Sequence, residues 1–251
     1  MKKKEEKEKK NKKEKKFEKD REKVILNSEK IRDRERKINA IKLSLLIMTL
    51  FLIIIYFLLT AFYEGGSFTI SLDPSFAQKS GLVMFESTEG DDKRILKATR
   101  ADFIDNISVK WIPKDINKQG EGSHNGENYL AYSFYIKNKG SEVVNYWYEI
   151  VIDDVIKNAD EAIRVMLYRN DDMTLYAKAN KKTGEAEEGT TTFFSDKEVA
   201  VEQRAGFAPD DVDKFTIVVF VEGDDPDCLD EIIGGEMKMH MDIKEEHIKQ
   251  E

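Results

Sequence analysis

Beyond residue 64, hydrophobic positions recur with a period of two, which is typical of half-buried β-strands. The clearest case is LAYSFYI (130–136), which is followed by the turn KNKGSE and then by VVNYWYEIVI (143–152). Alternate residues of both segments are apolar, and Gly140 stands where a tight turn favours a residue that tolerates positive φ. The pattern predicts a β-hairpin.

Other segments repeat this pattern. AIRVMLY (162–168) and MTLYAKA (173–179), separated by RNDD, predict a second hairpin. Further strands are predicted for FTISL (68–72), GLVMFES (81–87), NISVKWI (106–112) and FTIVVFVE (215–222). Many short strands between turn signals, with no internal repeat, predict an all-β domain. We expect an antiparallel β-sandwich, jelly-roll-like in topology.

The last predicted strand is EMKMHMDI (236–243), whose alternation places its methionines and Ile243 on the core side. Upstream, Asp225 and Pro226 fit an N-cap followed by proline at the first helical position. Gly234-Gly235 fits a helix stop. The segment PDCLDEII therefore predicts one or two helical turns, with Asp227 in the first turn, where the helix dipole favours an anion.

An apolar run precedes the β-rich part. Leu43–Tyr63 holds 21 residues without a charge, and a helix needs roughly 20 apolar residues to cross a bilayer. Residues 23–42 carry seven Lys/Arg and residues 64–83 carry one, so the positive-inside rule predicts a cytoplasmic N-terminus. An uncleaved signal anchor is favoured, since the apolar run is long for a signal peptide. The alternative is a signal peptide cleaved after Ala61.

The segment before this run is a charged helix with a seven-residue apolar spacing. Apolar residues recur at Phe17, Val24, Ile31, Ile38, Leu45 and Leu52. Such spacing marks one seam position of a coiled coil, although the companion position is polar. Two interpretations stay open: a weakly dimeric cytoplasmic helix, or a solvated helix that its bases hold near anionic lipid.

Charge divides the 251-residue chain into two environments. Residues 1–42 hold 19 Lys/Arg and 10 Asp/Glu, whereas the remainder holds 22 and 39. The strongly acidic β-rich part makes nucleic acid an unexpected partner. Cys228 is the single cysteine, so no internal disulfide can form. These features predict a charged cytoplasmic segment (1–42), a span (43–63), an extracellular β-domain (64–243) and a polar tail (244–251).

No catalytic motif is present. The three histidines form no H-E-x-x-H or Cys/His cluster, and there is no phosphate-binding glycine loop. His124 follows Ser123 in a glycine-rich loop, but no G-x-S-x-G elbow occurs. We therefore predict that the protein is not an enzyme, and we assign no catalytic or organic-cofactor residues.

An acidic loop is the one candidate metal site. It contains six carboxylates, namely Glu222, Asp224, Asp225, Asp227, Asp230 and Glu231. Calcium prefers oxygen ligands, and extracellular calcium sites can be weak. The EF-hand pattern fails here, and helix capping with a solvated acidic loop explains the same residues. Calcium and this structural explanation both stay open.

Two motifs resemble those of the TasA/camelysin family of Gram-positive surface and biofilm-matrix proteins. One is the strand–turn–strand FYIKNKGSEVVNYWYEI; the other is the C-terminal FTIVVFVEGDDPDCLDEIIGGEMKMHMDI. An N-terminal export segment before an all-β domain is similar too. The resemblance implies a jelly-roll-like domain and assembly by strand exchange. The long charged N-terminal segment departs from that family's short signal peptides.

Together these patterns predict a single-pass cell-membrane protein whose outer domain is a structural, adhesive or protein-binding module that contacts surface proteins or copies of itself. Its SFTISL segment (67–72) would be a donor strand or a strand of its own sandwich. Two alternatives stay open. The first is a sensor or scaffold that couples outer binding to a partner of the cytoplasmic helix. The second is a cell-wall hydrolase, because carboxylates alone can cleave glycosides.

Overall fold

The computed structural model describes residues 2–64, 68–73, 81–101 and 104–247, with side chains except those of 2–16, 20, 24–26, 28–29, 59–64 and 247. The chain divides into two compact units, Met1–Gly65 and Gly66–Glu251. The second unit is called the β-module below.

The first unit consists of one continuous helix, α1 (Lys2–Glu64). Within it, Lys30–Leu58 contains an 18-residue stretch with a mean hydropathy of 2.6 and is long and apolar enough to span a membrane. The predicted apolar helix is thus confirmed in length and composition, while its orientation stays a prediction. Three of the heptad side chains, Phe17, Ile31 and Ile38, are 67%, 59% and 43% exposed; the side chain of Val24 lies outside the described part.

The β-module is built from short and medium strands. In chain order they are β1 (Thr69–Leu72), β2 (Leu82–Phe85), β3 (Ile95–Lys97), β4 (Asn106–Ile107), β5 (Gly122–Ser123), β6 (Leu130–Asn138), β7 (Val144–Ile156), β8 (Ile163–Arg169), β9 (Asp172–Ala177), β10 (Thr191–Thr192), β11 (Glu198–Phe207), β12 (Val212–Glu222) and β13 (Glu236–His247). A one-turn helix, α2 (Ile116–Gln119), lies between β4 and β5.

The strands form two sheets. The smaller has the order β11-β7-β13-β1-β3, and the larger has the order β10-β9-β8-β12-β6-β2, with β4 added to β12 and β5 to β6. Most pairs are antiparallel, but β1–β13, β9–β10 and β4–β12 are parallel. The predicted two-sheet β architecture is therefore present in coarse form, with mixed rather than purely antiparallel sheets. β1 pairs with β13 and β3 of the same chain. Of the two roles predicted for SFTISL, the structure therefore has the strand within its own sandwich.

One apolar core lies between the sheets. Tyr148 of β7 contacts Phe215 of β12 edge-to-face, with ring centroids 5.1 Å apart. Ile70 and Met241 of the smaller sheet belong to the same buried cluster as Phe134 of the larger sheet. The alternating residues of the sequence thus face this core, because a strand directs every second side chain to the same side.

The predicted hairpin between 130–136 and 143–152 is wrong. β6 pairs with β12, β2 and β5, whereas β7 pairs with β11 and β13 in the other sheet. The intervening turn carries the chain across the sandwich. Gly140 does not have a positive φ. A Cβ there would lie 3.0 Å from Oδ1 of Asn138 and 3.2 Å from Cα of Gly81, so close packing explains the glycine.

The strand predicted for 106–112 is also largely wrong. Only β4 is extended, and Val109–Trp111 forms a 3-10 turn. This segment covers the outer face of the larger sheet with a second buried cluster. Its members are Ile107, Ile112, Ile116, Ala131, Met166, Tyr168, Val218 and Phe220. Central strands of this sheet are therefore buried on both faces, which the alternating pattern did not predict.

The C-terminal region corrects two further predictions. β13 continues through His247 and pairs with β7 along its whole length, so the chain is still in the sheet where a tail from 244 was predicted; residues 248–251 lie outside the described part. The segment 226–233 contains turns and a 3-10 turn at Asp230–Ile232 instead of an α-helix. Asp225 is therefore not a helix N-cap.

Candidate functional site

The acidic loop between β12 and β13 does not place its six carboxylates together. Glu222 is buried and accepts hydrogen bonds from the backbone N–H groups of Val109 (2.9 Å) and Asp224 (3.1 Å). Asp224 is exposed and accepts a 2.9 Å hydrogen bond from Ser108. Both residues thus tie the loop to the segment that covers the larger sheet. Asp230 and Glu231 are exposed in the 3-10 turn.

Asp225 instead forms a buried ion pair with Arg164 of β8. The two side chains are 0% and 4% exposed. The other carboxylate oxygen of Asp225 accepts a 2.7 Å hydrogen bond from the backbone N–H of Asp227. Two buried charges are tolerated only when they are paired and hydrogen-bonded. This pair therefore fixes the loop to β8.

A smaller carboxylate group remains as the candidate cation site. One carboxylate oxygen each of Glu187, Asp225 and Asp227 lies within 4.8 Å of the other two. Only two of the six predicted residues belong to this group. Glu187 comes from the loop between β9 and β10, and sequence reasoning missed it because nothing local in that loop indicates its neighbours in space.

The donor chemistry of this group fits calcium in part. Asp227 is buried and accepts a 2.9 Å hydrogen bond from the backbone N–H of Lys181, and Glu187 accepts one of the same length from Asn180. No ion pair of either carboxylate occurs among the described residues. A cation would neutralise this excess charge, but calcium takes six to eight oxygens. Three carboxylates, one already paired with Arg164, supply only part of that set.

The cysteine and two of the histidines, Cys228, His124 and His240, are partly buried. The Cys228 thiol is half-buried, and burial raises its pKa above the usual value, which disfavours the reactive thiolate. His124 is half-buried, and its Nδ1 lies 3.0 Å from the carbonyl oxygen of Gly122. His240 lies on β13, where its Nδ1 is 2.8 Å from a carboxylate oxygen of Asp153. Nε2 of His124 is buried without a hydrogen-bond partner among the described residues.

A second candidate site is the free edge of the smaller sheet. β11 is ten residues long, and among the described strands it pairs with β7 alone, on one side. Its pairing is regular from Ala200 to Arg204, with register shifts before and after that stretch. An edge strand presents unpaired backbone donors and acceptors that another extended chain can use. Sequence reasoning did not predict this strand, because three consecutive apolar residues (199–201) interrupt the alternation.

Side chains hold this edge firmly against the other sheet. The Glu202 carboxylate of β11 accepts hydrogen bonds from the hydroxyl groups of Tyr148 and Tyr176. Burial, followed by these contacts, raises the pKa of both tyrosines. Arg204 lies 3.3 Å from the buried carboxylate of Asp213 in β12. β11 is thus a fixed strand rather than a fraying one.

Comparisons with known proteins identify no family. No family model matches the chain, and no match is found among the curated proteins. Two crystal structures of a β-glucosidase from Kluyveromyces marxianus show distant likeness. The glucose complex has a TM-score of 0.26 at 11% identity, covering 73% of this chain and 18% of that protein. The selenomethionine-labelled form has a TM-score of 0.22 at 12% identity, covering 67% and 17%. Scores this low support no assignment of fold or activity.

Proposed function

We propose that the protein is a single-pass membrane-anchored surface protein whose β-module binds an extended segment of a second protein, or of another copy of itself, at the edge strand β11. The apolar part of α1 is the anchor in this proposal, and the excess of bases before residue 43 supports a cytoplasmic N-terminus. The function is binding rather than catalysis. The free, side-chain-anchored edge of β11 is the observation that carries this proposal.

The chemistry of β11 favours the addition of one strand. A pre-ordered edge loses little conformational entropy when a partner pairs with it. Inward-pointing charged residues on an edge oppose open-ended sheet growth, and β11 has two, Glu202 and Arg204. The register shifts at both ends of β11 limit the regular edge to its central residues. A pairwise adhesive contact is therefore favoured over fibre growth.

Adhesion between copies is tested with the full chain reconstituted into vesicles, whose clustering is followed by dynamic light scattering. Successive N–H groups of a strand point to opposite edges, so proline is tolerated only where the N–H faces away from the neighbouring strand. Val201→Pro and Glu202→Pro are each compared with the alanine variant at the same position, because Glu202→Pro also removes the carboxylate that Tyr148 and Tyr176 contact. The proline variant that retains the melting temperature of its alanine control has lost an N–H group at the free edge.

We expect vesicles with the wild-type chain to cluster as the protein density rises, and the folded proline variant to remain dispersed. Equal clustering by the wild type and this variant would rule out the β11 edge. Dispersed wild-type vesicles at every density would exclude adhesion between copies. A separate surface protein would then be the remaining partner.

The heptad face of α1 supports a second candidate function, a scaffold that couples the β-module to a cytoplasmic partner. Ile31 and Ile38 are exposed on this continuous helix, and exposed apolar residues at seven-residue spacing are what a partner helix would cover. Replacing both with serine should abolish in-cell crosslinking of the N-terminal segment. Unchanged crosslinking would leave the segment as a solvated, lipid-associated helix.

Three finer assignments complete the proposal. A jelly-roll-like topology and kinship with TasA/camelysin proteins rest on the two quoted sequence motifs. Calcium binding rests on Glu187, Asp225 and Asp227, and it would stabilise the acidic loop rather than take part in adhesion. The hydrolase alternative has no assigned pair of carboxylates, so the binding function is preferred.

A further inference from the structure

A cavity of about 490 Å³ opens at one end of the β-module, between the two sheets. Its floor is apolar and comes from both sheets. Leu130 and Val219 contribute from the larger sheet, and Phe68 and Met239 line it beside the smaller one. All four belong to the buried core. The cavity is therefore an extension of the hydrophobic core that reaches the surface.

The mouth of the cavity carries exposed aliphatic residues. Leu229 and Ile233 line it, and they are 54% and 68% exposed. Leu229 lies in the acidic loop and Ile233 directly follows it, and the Asp225–Arg164 ion pair fixes this loop to β8. A continuous apolar surface thus runs from the solvent to the core. Large apolar side chains held at the entrance of an apolar cavity indicate a ligand that is itself apolar.

The size of the cavity indicates one chain. A methylene group is about as large as a water molecule, whose share of liquid volume is roughly 30 Å³, so the cavity holds about 16 such groups. One long aliphatic chain fits this volume, whereas two such chains do not. Small-molecule sites typically have volumes of about 300–1,000 Å³, and this cavity lies within that range.

Charged residues at the mouth select the polar end of the ligand. Lys238 is half-buried at the cavity wall, and no ion pair of its ammonium group occurs among the described residues. Arg100 also lines the cavity and already interacts with another group. The acids at the mouth, Asp105, Asp230 and Glu236, are exposed. Lys238 and Arg100 are less exposed than these three acids, which favours an anionic head group at the cavity wall.

We propose that this cavity binds a single-chain anionic amphiphile, of which a long-chain fatty acid is the simplest example. The aliphatic chain lies between the sheets, and the carboxylate pairs with Lys238. This binding goes beyond strand addition at β11 and does not depend on it, because the cavity and the β11 edge share no lining residue.

The test uses the full chain in nanodiscs and palmitic acid that carries a photoactivatable diazirine in its chain. After irradiation, adducts are mapped by peptide mass spectrometry. We expect them in residues 219–221 and 228–239, and we expect unlabelled palmitate to suppress them. Adducts confined to α1 would show partition into the bilayer alone and would overturn the proposal. So would adducts spread evenly over exposed segments.

Two variants separate the chain site from the head-group site. Lys238→Gln should raise the palmitate concentration needed for half-maximal labelling by about tenfold, since an ionic hydrogen bond is lost, and should leave labelling by the matched diazirine alcohol unchanged. Ala101→Trp, at the cavity wall, should reduce labelling by both probes; Ser141→Trp, in an exposed turn, should reduce neither. Unchanged labelling of a folded Ala101→Trp protein would refute the site. If the wild-type chain is labelled as expected but does not cluster vesicles, only the adhesive function is refuted.

Discussion

Replacing Asp225 with alanine should destabilise the β-module severely, because it leaves the Arg164 guanidinium buried without its anion. The two side chains are 0% and 4% exposed, so solvent screening gives little relief. Removing one partner of a buried ion pair costs about 3–5 kcal/mol. Arg164 has few other acceptors, since its Nη1 is buried without a hydrogen-bond partner among the described residues. The same variant also removes the acceptor of the Asp227 N–H.

The expected loss is large for a single domain. Free energies of unfolding are about 5–15 kcal/mol, and 1 kcal/mol shifts the melting temperature of a domain of this size by about 2–4 °C. Asp225→Ala should therefore lower the melting temperature by roughly 6–20 °C. Tryptophan fluorescence is a suitable probe of the full chain, because both tryptophans, Trp111 and Trp147, lie in the β-module.

Two matched variants make the measurement decisive. Asp224→Ala, at an exposed residue of the same loop, should change the free energy of unfolding by less than about 1 kcal/mol. The double variant Arg164→Met/Asp225→Leu should recover most of the loss, because well-packed apolar residues can replace a buried ion pair at little cost. A loss of less than about 1 kcal/mol in Asp225→Ala would refute the reasoning that this pair fixes the loop.

Four further predictions follow from individual contacts. Hydrogen bonds, first from Lys93, hold the pKa of Glu86 below its usual value of 4.5. Glu86→Gln should thus lower stability at neutral pH. In acid titration the difference should decrease below pH 4.5 and vanish once the pH has fallen through the lowered pKa. Burial, then a carboxylate contact, raises the pKa of Tyr135 to about 12; its stabilising effect is full below pH 10, and the ultraviolet absorbance of its tyrosinate should appear only as pH approaches 12. If calcium binds, millimolar calcium should raise the melting temperature of the wild type but not of Asp227→Asn. Gly126→Ala should cost about 1–3 kcal/mol in urea unfolding, because the added Cβ would lie 2.2 Å from the Tyr129 ring.

Each of these has a clear contrary result. If the wild type stays more stable than Glu86→Gln in strong acid, the charge of the carboxylate is not the cause of the difference in stability. The tyrosinate absorbance that appears near pH 12 should be lost in Tyr135→Phe. If this variant keeps the absorbance, it comes from another tyrosine. If calcium raises the melting temperatures of the wild type and of Asp227→Asn equally, the acidic loop is not the calcium site. A neutral Gly126→Ala would show that the Tyr129 ring moves aside freely.

Local sequence patterns determined the class of the structural elements. In lipid or in a large core, the backbone polar groups of a long uncharged apolar run find their hydrogen bonds within a helix. α1 is helical through that run. Alternation of apolar and polar residues determined which side chains of β7 and β13 face the core, since strand geometry imposes a period of two. The hairpin of β8 and β9 was also predictable, because its turn is short and its partners are adjacent in sequence.

Only the tertiary structure decided which strands pair and which residues meet. β6 and β7 have the pattern of a hairpin but belong to different sheets, because alternation defines a strand's faces and leaves its edge partners unspecified. Glu187 joins Asp225 and Asp227 through a loop far away in sequence. The free edge of β11 and the cavity between the sheets depend on the packing of distant segments. Such non-local features define both proposed binding sites, which is why the sequence by itself determined the class of the structural elements but not the sites.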